Sequence, residues 1–132
     1  MTTSTERKQR TITMTNRSPV KIYDDEWPVI AEGSHEAWDN THKFQANRTW
    51  DGWIKVRQHA DGRRIVYGCD VYTTQWQGAS GYRYCGGLLL SADADISEAV
   101  RDLAGQLMER GADEYMRQVA HECIANLPPE QI

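Results

Sequence analysis

Residues 53–72 read WIKVRQHADGRRIVYGCDVY, and this stretch decides the fold. The Asp61-Gly62 pair stands between two runs rich in β-branched and aromatic residues, a strong short-range signal for a β-hairpin. A two-residue type I′ turn at this pair would place Ala60 opposite Arg63 and Val56 opposite Tyr67.

This register gives the predicted hairpin one apolar and one polar face. The apolar face carries Ile54, Val56, Ile65, Tyr67 and Cys69. The polar face carries Trp53, Lys55, Arg57, His59 and Arg64, with Tyr72 further along the same side. Because the turn chemistry and the hydrophobic pattern agree, we expect this register in the folded chain.

Further strands are predicted around the hairpin. A strand over 82–90 follows the Gly-rich loop 75–81 and places Cys69 opposite Cys85, where we expect two buried, reduced thiols. Gly86-Gly87 indicates a bulge or a close backbone approach. Short apolar or alternating segments predict strands at 11–15, 20–23, 27–31 and 43–48.

Two amphipathic helices are predicted after the sheet. Asp95 and Glu98 have the spacing of a capping box at the start of the first helix, and Gly111 is typical of a helix end. Their apolar stripes comprise Ile96, Val100, Leu103 and Leu107, then Met116, Val119, Cys123 and Leu127. We expect both helices to cover the face formed by Ile54, Val56, Ile65 and Tyr67.

The predicted fold class is therefore α+β: an antiparallel meander sheet of about four to six strands with two C-terminal amphipathic helices packed on one face. Residues 1–10 are polar and are predicted to be a disordered tail, and 11–132 a single α+β domain. The polar beginning and the absence of a long apolar run favour a cytoplasmic protein without membrane contact.

Composition and motifs argue against an enzyme. The net charge of −4 disfavours a nucleic-acid binder that uses its whole surface, although a local basic patch remains compatible with it. His121, Glu122 and Cys123 are adjacent on a predicted helix and cannot converge on one metal ion. The sequence contains no nucleophile elbow or phosphate-binding loop, so neither a catalytic residue nor a cofactor is predicted. An enzyme whose site is assembled from residues far apart in the sequence is the remaining alternative.

Two surfaces are candidates for partner binding. Trp38, Trp50 and Trp76 lie in segments that lack regular periodicity, where Trp is either a binding hot spot or part of an irregular core. The polar hairpin face is either a platform for single-stranded nucleic acid or an ordinary solvated surface. The candidate partner-binding residues are Trp38, Trp50, Trp53, Lys55, Arg57, Arg64, Tyr72 and Trp76. Tyr72, Tyr82 and 88–90 are also compatible with a homodimer interface.

Several segments carry a resemblance that spans most of the chain. They read SPVKI at 18–22, EWPVIA at 26–31, VRQHADGR at 56–63, IVY at 65–67, ADI at 94–96 and CIANLP at 123–128. The chain resembles small accessory proteins from phages and mobile elements of proteobacteria, a group that includes anti-CRISPR inhibitors. The resemblance implies a non-catalytic inhibitor that acts in the cytoplasm of the bacterial host by binding a host or defence-system protein complex.

Overall fold

The computed structural model describes residues 7–39, 48–74, 81–111 and 115–129. Its elements are β1 (Gln9–Ile12), β2 (Val20–Tyr23), β3 (Val29–Asp39), β4 (Arg48–Gln58), β5 (Arg64–Thr74), β6 (Tyr82–Leu90), α1 (Ile96–Gly111) and α2 (Met116–Ala125). Strands β3-β4-β5-β6 form an antiparallel sheet, and β1 and β2 form a separate antiparallel ribbon. Both helices pack against the larger sheet, which confirms the predicted α+β class.

The element boundaries differ from the predictions mainly before residue 48. β1 begins at Gln9, two residues inside the predicted tail, and residues 1–6 lie outside the described residues. β3 runs from Val29 to Asp39, well beyond the strand predicted for 27–31. Most of the strand predicted for 43–48 also falls outside the described residues.

The turn between β4 and β5 has three residues, so the predicted two-residue type I′ turn is wrong. The His59 amide donates to the Arg63 carbonyl (2.9 Å), and the Gly62 amide donates to the His59 carbonyl (2.9 Å). Gly62 has a φ of 94°, the left-handed conformation that follows a type I turn in such hairpins. The Asp61 carboxylate accepts the Arg63 amide (3.0 Å), a local bond that favours the longer loop.

The additional loop residue shifts the predicted register by one. Val56 pairs with Val66 rather than with Tyr67, and Ile54 pairs with Gly68. The predicted apolar face is therefore divided between the two sides of the sheet, because neighbouring residues point to opposite faces. The helices cover Ile54, Val56 and Val66, but not Ile65 and Tyr67.

The helix-covered side is an apolar core. Its members with no more than 2 % exposure are Ile54, Val56, Val66, Val100, Leu103, Ala104, Leu107, Met116, Val119 and Cys123. The predicted start of α1 is confirmed, since the Asp95 carboxylate accepts the Glu98 amide (3.2 Å). Most of the two predicted stripes is buried in this core, and α1 ends at Gly111 as expected.

Helix α2 also covers the outer edge of β3. The Asn126 side-chain amide donates to the Glu32 carbonyl (2.9 Å), and the Ser34 amide donates to the Glu122 carboxylate (3.3 Å). A Cβ at Gly33 would lie 2.3 Å from the Val119 carbonyl oxygen, so only glycine permits this close approach.

The β1–β2 ribbon covers the other side of the sheet. A second core cluster joins ribbon residues to sheet residues: Ile12, Met14, Ile22, Trp27, Ile65 and Tyr67. Thr15 bonds to Gly87 through its amide (2.9 Å) and its hydroxyl (3.1 Å), and a Cβ at Gly87 would lie 2.8 Å from the Thr13 carbonyl oxygen. This is the close backbone approach predicted for Gly86-Gly87, and the β5–β6 ladder continues through it without a bulge.

Cys69 and Cys85 form a disulfide between β5 and β6. The predicted pairing of the two residues is confirmed, but the expectation of two reduced thiols is wrong. The register places the two residues directly opposite each other, with their Cα atoms 4.1 Å apart, which brings the sulfur atoms within bonding reach. Cys123 is a free thiol whose pKa is raised to about 12, chiefly by burial, so it is unreactive in the folded protein.

Within the described ranges, neither helix combines the length and the apolar character that a membrane crossing requires.

Candidate partner-binding surface

Four aromatic side chains form a contiguous row across β4, β5 and β6. Trp50, Tyr72 and Tyr82 occupy matching register positions, and their ring centroids are 5.2 Å and 5.5 Å apart. Tyr84 lies two residues further along β6, 4.9 Å from Tyr82. All four side chains are half-buried. We call Trp50, Tyr72, Tyr82 and Tyr84 the aromatic row.

The row lies next to the point where α2 begins. Tyr115, which precedes α2, packs against Gly52 so closely that a Cβ there would lie 2.7 Å from its ring. The Tyr115 hydroxyl donates to the fully buried Asp70, which pairs with Gly52 across β4 and β5. Trp50 and Tyr72 lie two residues beyond that pair, so the row continues the helix-covered face past the start of α2.

The chemistry of the row suits contact with another molecule. Aromatic rings supply a large contact area, and the hydroxyls of Tyr72 and Tyr84 can bond to a partner or to water. The 20° interplanar angles of the Tyr72–Tyr82 and Tyr82–Tyr84 pairs show rings that already support one another. Binding to such a surface therefore costs less side-chain entropy than binding to isolated rings would.

The structure brings two of the eight predicted site residues, Trp50 and Tyr72, together in this row. Trp38 lies in β3 opposite Thr49, and its side chain falls outside the described residues. Trp76 lies wholly outside them. The expectation that Trp38 and Trp50 lie outside regular structure is wrong, because both belong to long strands.

The predicted polar face does not exist as one open surface. Trp53 and Lys55 lie on the side that the ribbon covers, where Trp53 packs against the second core and edge-on against Tyr67 (5.4 Å between centroids). Arg64 belongs to the opposite face and donates to the carbonyls of Ala92 and Ala94 before α1. The one-residue shift of register separates Arg64 and Tyr72 from Trp53, Lys55 and Arg57.

Arg57 is 5 % exposed and has partners within the protein. Its guanidinium donates to the Tyr67 hydroxyl (2.7 Å) and the Trp27 carbonyl (2.9 Å), and lies 3.3 Å from the Asp24 carboxylate. Asp24 also accepts two bonds from Arg10, at 2.9 Å and 3.1 Å. The bond from Arg10 and, to a lesser extent, the charge of Arg57 lower the pKa of Asp24. Arg57 therefore holds the ribbon on the sheet and is not available to a phosphate group.

Sequence reasoning missed the row as a unit. It treated Tyr82 only as part of a possible dimer interface and did not select Tyr84. The signal was present, because the correctly predicted pairing of Cys69 with Cys85 also places Tyr72 opposite Tyr82. The spacing of Tyr82 and Tyr84 then puts both rings on one face of β6.

In the described part of the chain, no group of three or more His, Cys, Asp or Glu residues converges in the way that a metal site requires.

Comparison with known proteins identifies no relative: no family model matches the chain, and no match was found among the curated proteins or the solved structures.

Proposed function

We propose that this protein is a non-catalytic inhibitor from a phage or mobile element that binds a bacterial defence complex, in the host cytoplasm, through its aromatic row. The observation that supports binding is the row itself, a set of four adjoining, half-buried aromatic rings beside the start of α2. Trp and Tyr are enriched among the residues that dominate the energy of protein–protein interfaces. The class of partner follows from the resemblance to anti-CRISPR proteins.

A protein partner fits the row better than single-stranded nucleic acid does. Base stacking on aromatic rings is normally combined with cations that follow the phosphate backbone. The sequence predicts three cations for this purpose. Arg57 is buried against Asp24 on the opposite face, and Lys55 lies on that face too. Arg64 shares the face of the row, but its guanidinium donates to the carbonyls of Ala92 and Ala94. The chain also carries a net charge of −4, which repels a polyanion at long range.

The proposal is tested with a Tyr72→Ala variant, because Tyr72 lies between Trp50 and Tyr82 in the row. The matched control is Tyr23→Ala, which removes a half-buried tyrosine from the ribbon. Tagged proteins are used to capture partners from the lysate of a bacterium with an active CRISPR–Cas system, with and without nuclease treatment. The same variants are assayed for restoring phage plaques on that host.

We expect the wild type and Tyr23→Ala to retain a stoichiometric defence subunit and to restore plaques. Loss of a central hot-spot ring weakens binding by about 2 kcal/mol, or roughly 30-fold, so Tyr72→Ala should lose both activities. Circular dichroism should show that Tyr72→Ala remains folded. A folded Tyr72→Ala variant with full activity would contradict the role of the row, and partners lost on nuclease treatment would contradict a protein target.

A further inference from the structure

The outer faces of α1 and α2 form a groove with a basic rim. Helix α1 contributes Arg101, Ala104 and Met108, and helix α2 contributes Arg117, Ala120, His121 and Ile124. Each set follows helical spacing along one face. The groove has a volume of about 470 Å³, and it shares no residue with the aromatic row. We call these seven residues the basic groove.

The floor of the basic groove is apolar. Ala104 and Ala120 are only 2 % and 4 % exposed, whereas Met108 and Ile124 are half-buried beside them. Small side chains in the floor leave room for the apolar side chains of a ligand. Met108 has a flexible, polarizable side chain, which adapts to ligands of different shape.

The rim carries positive charge in a chain that is acidic as a whole. Among the described residues, the groove is lined by two arginines and one histidine and by no carboxylate, although the chain has a net charge of −4. Arg101 and Arg117 are both exposed. Within the described ranges neither forms an ion pair, whereas Arg7, Arg10, Arg57 and Arg63 each do. The positive charge of the rim is thus available to a ligand.

We propose that the basic groove binds an acidic amphipathic helix of a partner protein. An amphipathic helix places apolar residues at positions i, i+3 or i+4, and i+7 into a groove of this kind. Acidic residues beside that stripe would pair with Arg101 and Arg117 at the rim. A nucleic acid would satisfy the arginines but leave the apolar floor uncovered, so the combination favours a peptide.

The test begins with a randomised library of helix-forming peptides of about four turns, roughly 15 residues. The library is selected on the immobilised wild-type protein. The enriched peptides are then measured by fluorescence anisotropy against the wild type and an Arg101→Glu/Arg117→Glu variant. Arg83→Glu reverses another exposed arginine, on β6, and is the matched control. Tyr72→Ala separates this site from the aromatic row.

We expect the enriched peptides to be acidic and to carry apolar residues at helical spacing. Their affinity should fall at least tenfold in the double variant and should weaken as salt is added, but it should be unchanged in Arg83→Glu and Tyr72→Ala. Peptides in which the acidic residues are replaced by lysine should regain binding to the double variant.

Four results would overturn the proposal. The selection could enrich neutral or basic peptides or none at all, or the double variant could bind the selected peptides as tightly as the wild type does. Sedimentation could instead show a dimer of the wild type that the double variant abolishes, in which case a second copy of the chain occupies the groove. Binding lost in Tyr72→Ala but retained in the double variant would assign the peptides to the aromatic row.

Discussion

The two faces of the central sheet are covered in different ways. On one face, α1 and α2 bury an apolar cluster whose members Val56, Leu103 and Val119 have no exposure. On the other face, a ribbon of two four-residue strands covers a smaller cluster around Ile12 and Ile65. Only the ribbon side contains a buried arginine, Arg57, within the described residues.

The difference shows how a small element is fixed to a sheet. The two amphipathic helices bury the larger apolar cluster, so apolar area contributes most of their attachment, beside the bonds made by Tyr115, Glu122 and Asn126. A two-stranded ribbon is at best marginally stable by itself, so its position depends on directional contacts. Here these contacts are the bonds of Arg57 to Tyr67, Trp27 and Asp24, and the approach of Thr15 to Gly87.

The largest change in stability is expected from a substitution in the helix-covered core. Leu103→Ala should lower the free energy of unfolding by about 2 to 5 kcal/mol, because it removes a fully buried side chain and leaves a cavity. Urea unfolding followed by circular dichroism measures the change. Leu89→Ala is the matched control, since Leu89 is 40 % exposed and its truncation should cost about 0.5 kcal/mol or less. Equal effects of the two substitutions would contradict the helix-covered core.

The second effect concerns the disulfide. The bond closes a loop with a sequence separation of 16, so its reduction should lower the free energy of unfolding by about 3 kcal/mol. The protein would lose this stability in the reducing cytoplasm of the proposed host. Urea unfolding with and without a reductant measures it, and a Cys69→Ser/Cys85→Ser variant should not respond to the reductant.

A thiol count provides an independent check of the same bond. The chain has three cysteines, so denatured, unreduced protein should show one reactive thiol, that of Cys123. In the native state that thiol should not react at pH 8, because burial raises its pKa to about 12. Three reactive thiols after denaturation would show that the disulfide does not form.

A smaller, pH-dependent effect is expected on the ribbon side. The bond from Arg10 and the charge of Arg57 lower the pKa of Asp24, so its contribution to stability is present above the unfolded value of about 3.9 and is lost as the pH falls through the folded value. Asp24→Asn should therefore lower the urea midpoint at pH 6 and have less effect near pH 3. The control is Asp25→Asn, because the side chain of Asp25 is 63 % exposed. This substitution should change the urea midpoint little at either pH. If Asp24→Asn lowered the urea midpoint by the same amount at both pH values, the result would contradict this role of Asp24.

The smallest effect is a stabilisation on the helix side. Gly105→Ala should raise the free energy of unfolding by about 0.5 to 1 kcal/mol, because alanine is the better helix former and the added Cβ meets no atom within 4 Å. Gly33→Ala is the contrasting variant and should destabilise the protein, since its Cβ would meet the Val119 carbonyl oxygen at 2.3 Å. Thermal unfolding of both variants would check the packing of α1 and of α2, and a destabilised Gly105→Ala would show that α1 is packed differently.

Sequence reasoning succeeded where the local signals were independent of the rest of the chain. The cap at Asp95, the end at Gly111 and the stripe of Val100, Leu103 and Leu107 all describe α1 correctly. The pairing of Cys69 with Cys85 was also correct.

Sequence-based prediction failed at the β4–β5 hairpin, where the length of the turn determines the face on which many side chains lie. Asp61-Gly62 is compatible with a two-residue and a three-residue loop, and the two differ by a single position of register. That position determines whether Ile65 and Tyr67 face the helices or the ribbon. The ribbon itself buries Arg57, and nothing in the spacing of residues 53–57 reveals that Asp24 will lie 3.3 Å away.

The contact between α2 and the edge of β3 has a consequence for how the protein behaves at high concentration. An exposed edge strand presents unpaired backbone groups that can recruit a strand from another molecule. Asn126 and Glu122 occupy the backbone groups of Glu32 and Ser34 and so make that part of the edge unable to act as a template. The last turn of α2 and its C-cap residue Asn126 therefore block strand addition at this part of the edge, and fraying of that turn would expose the edge again.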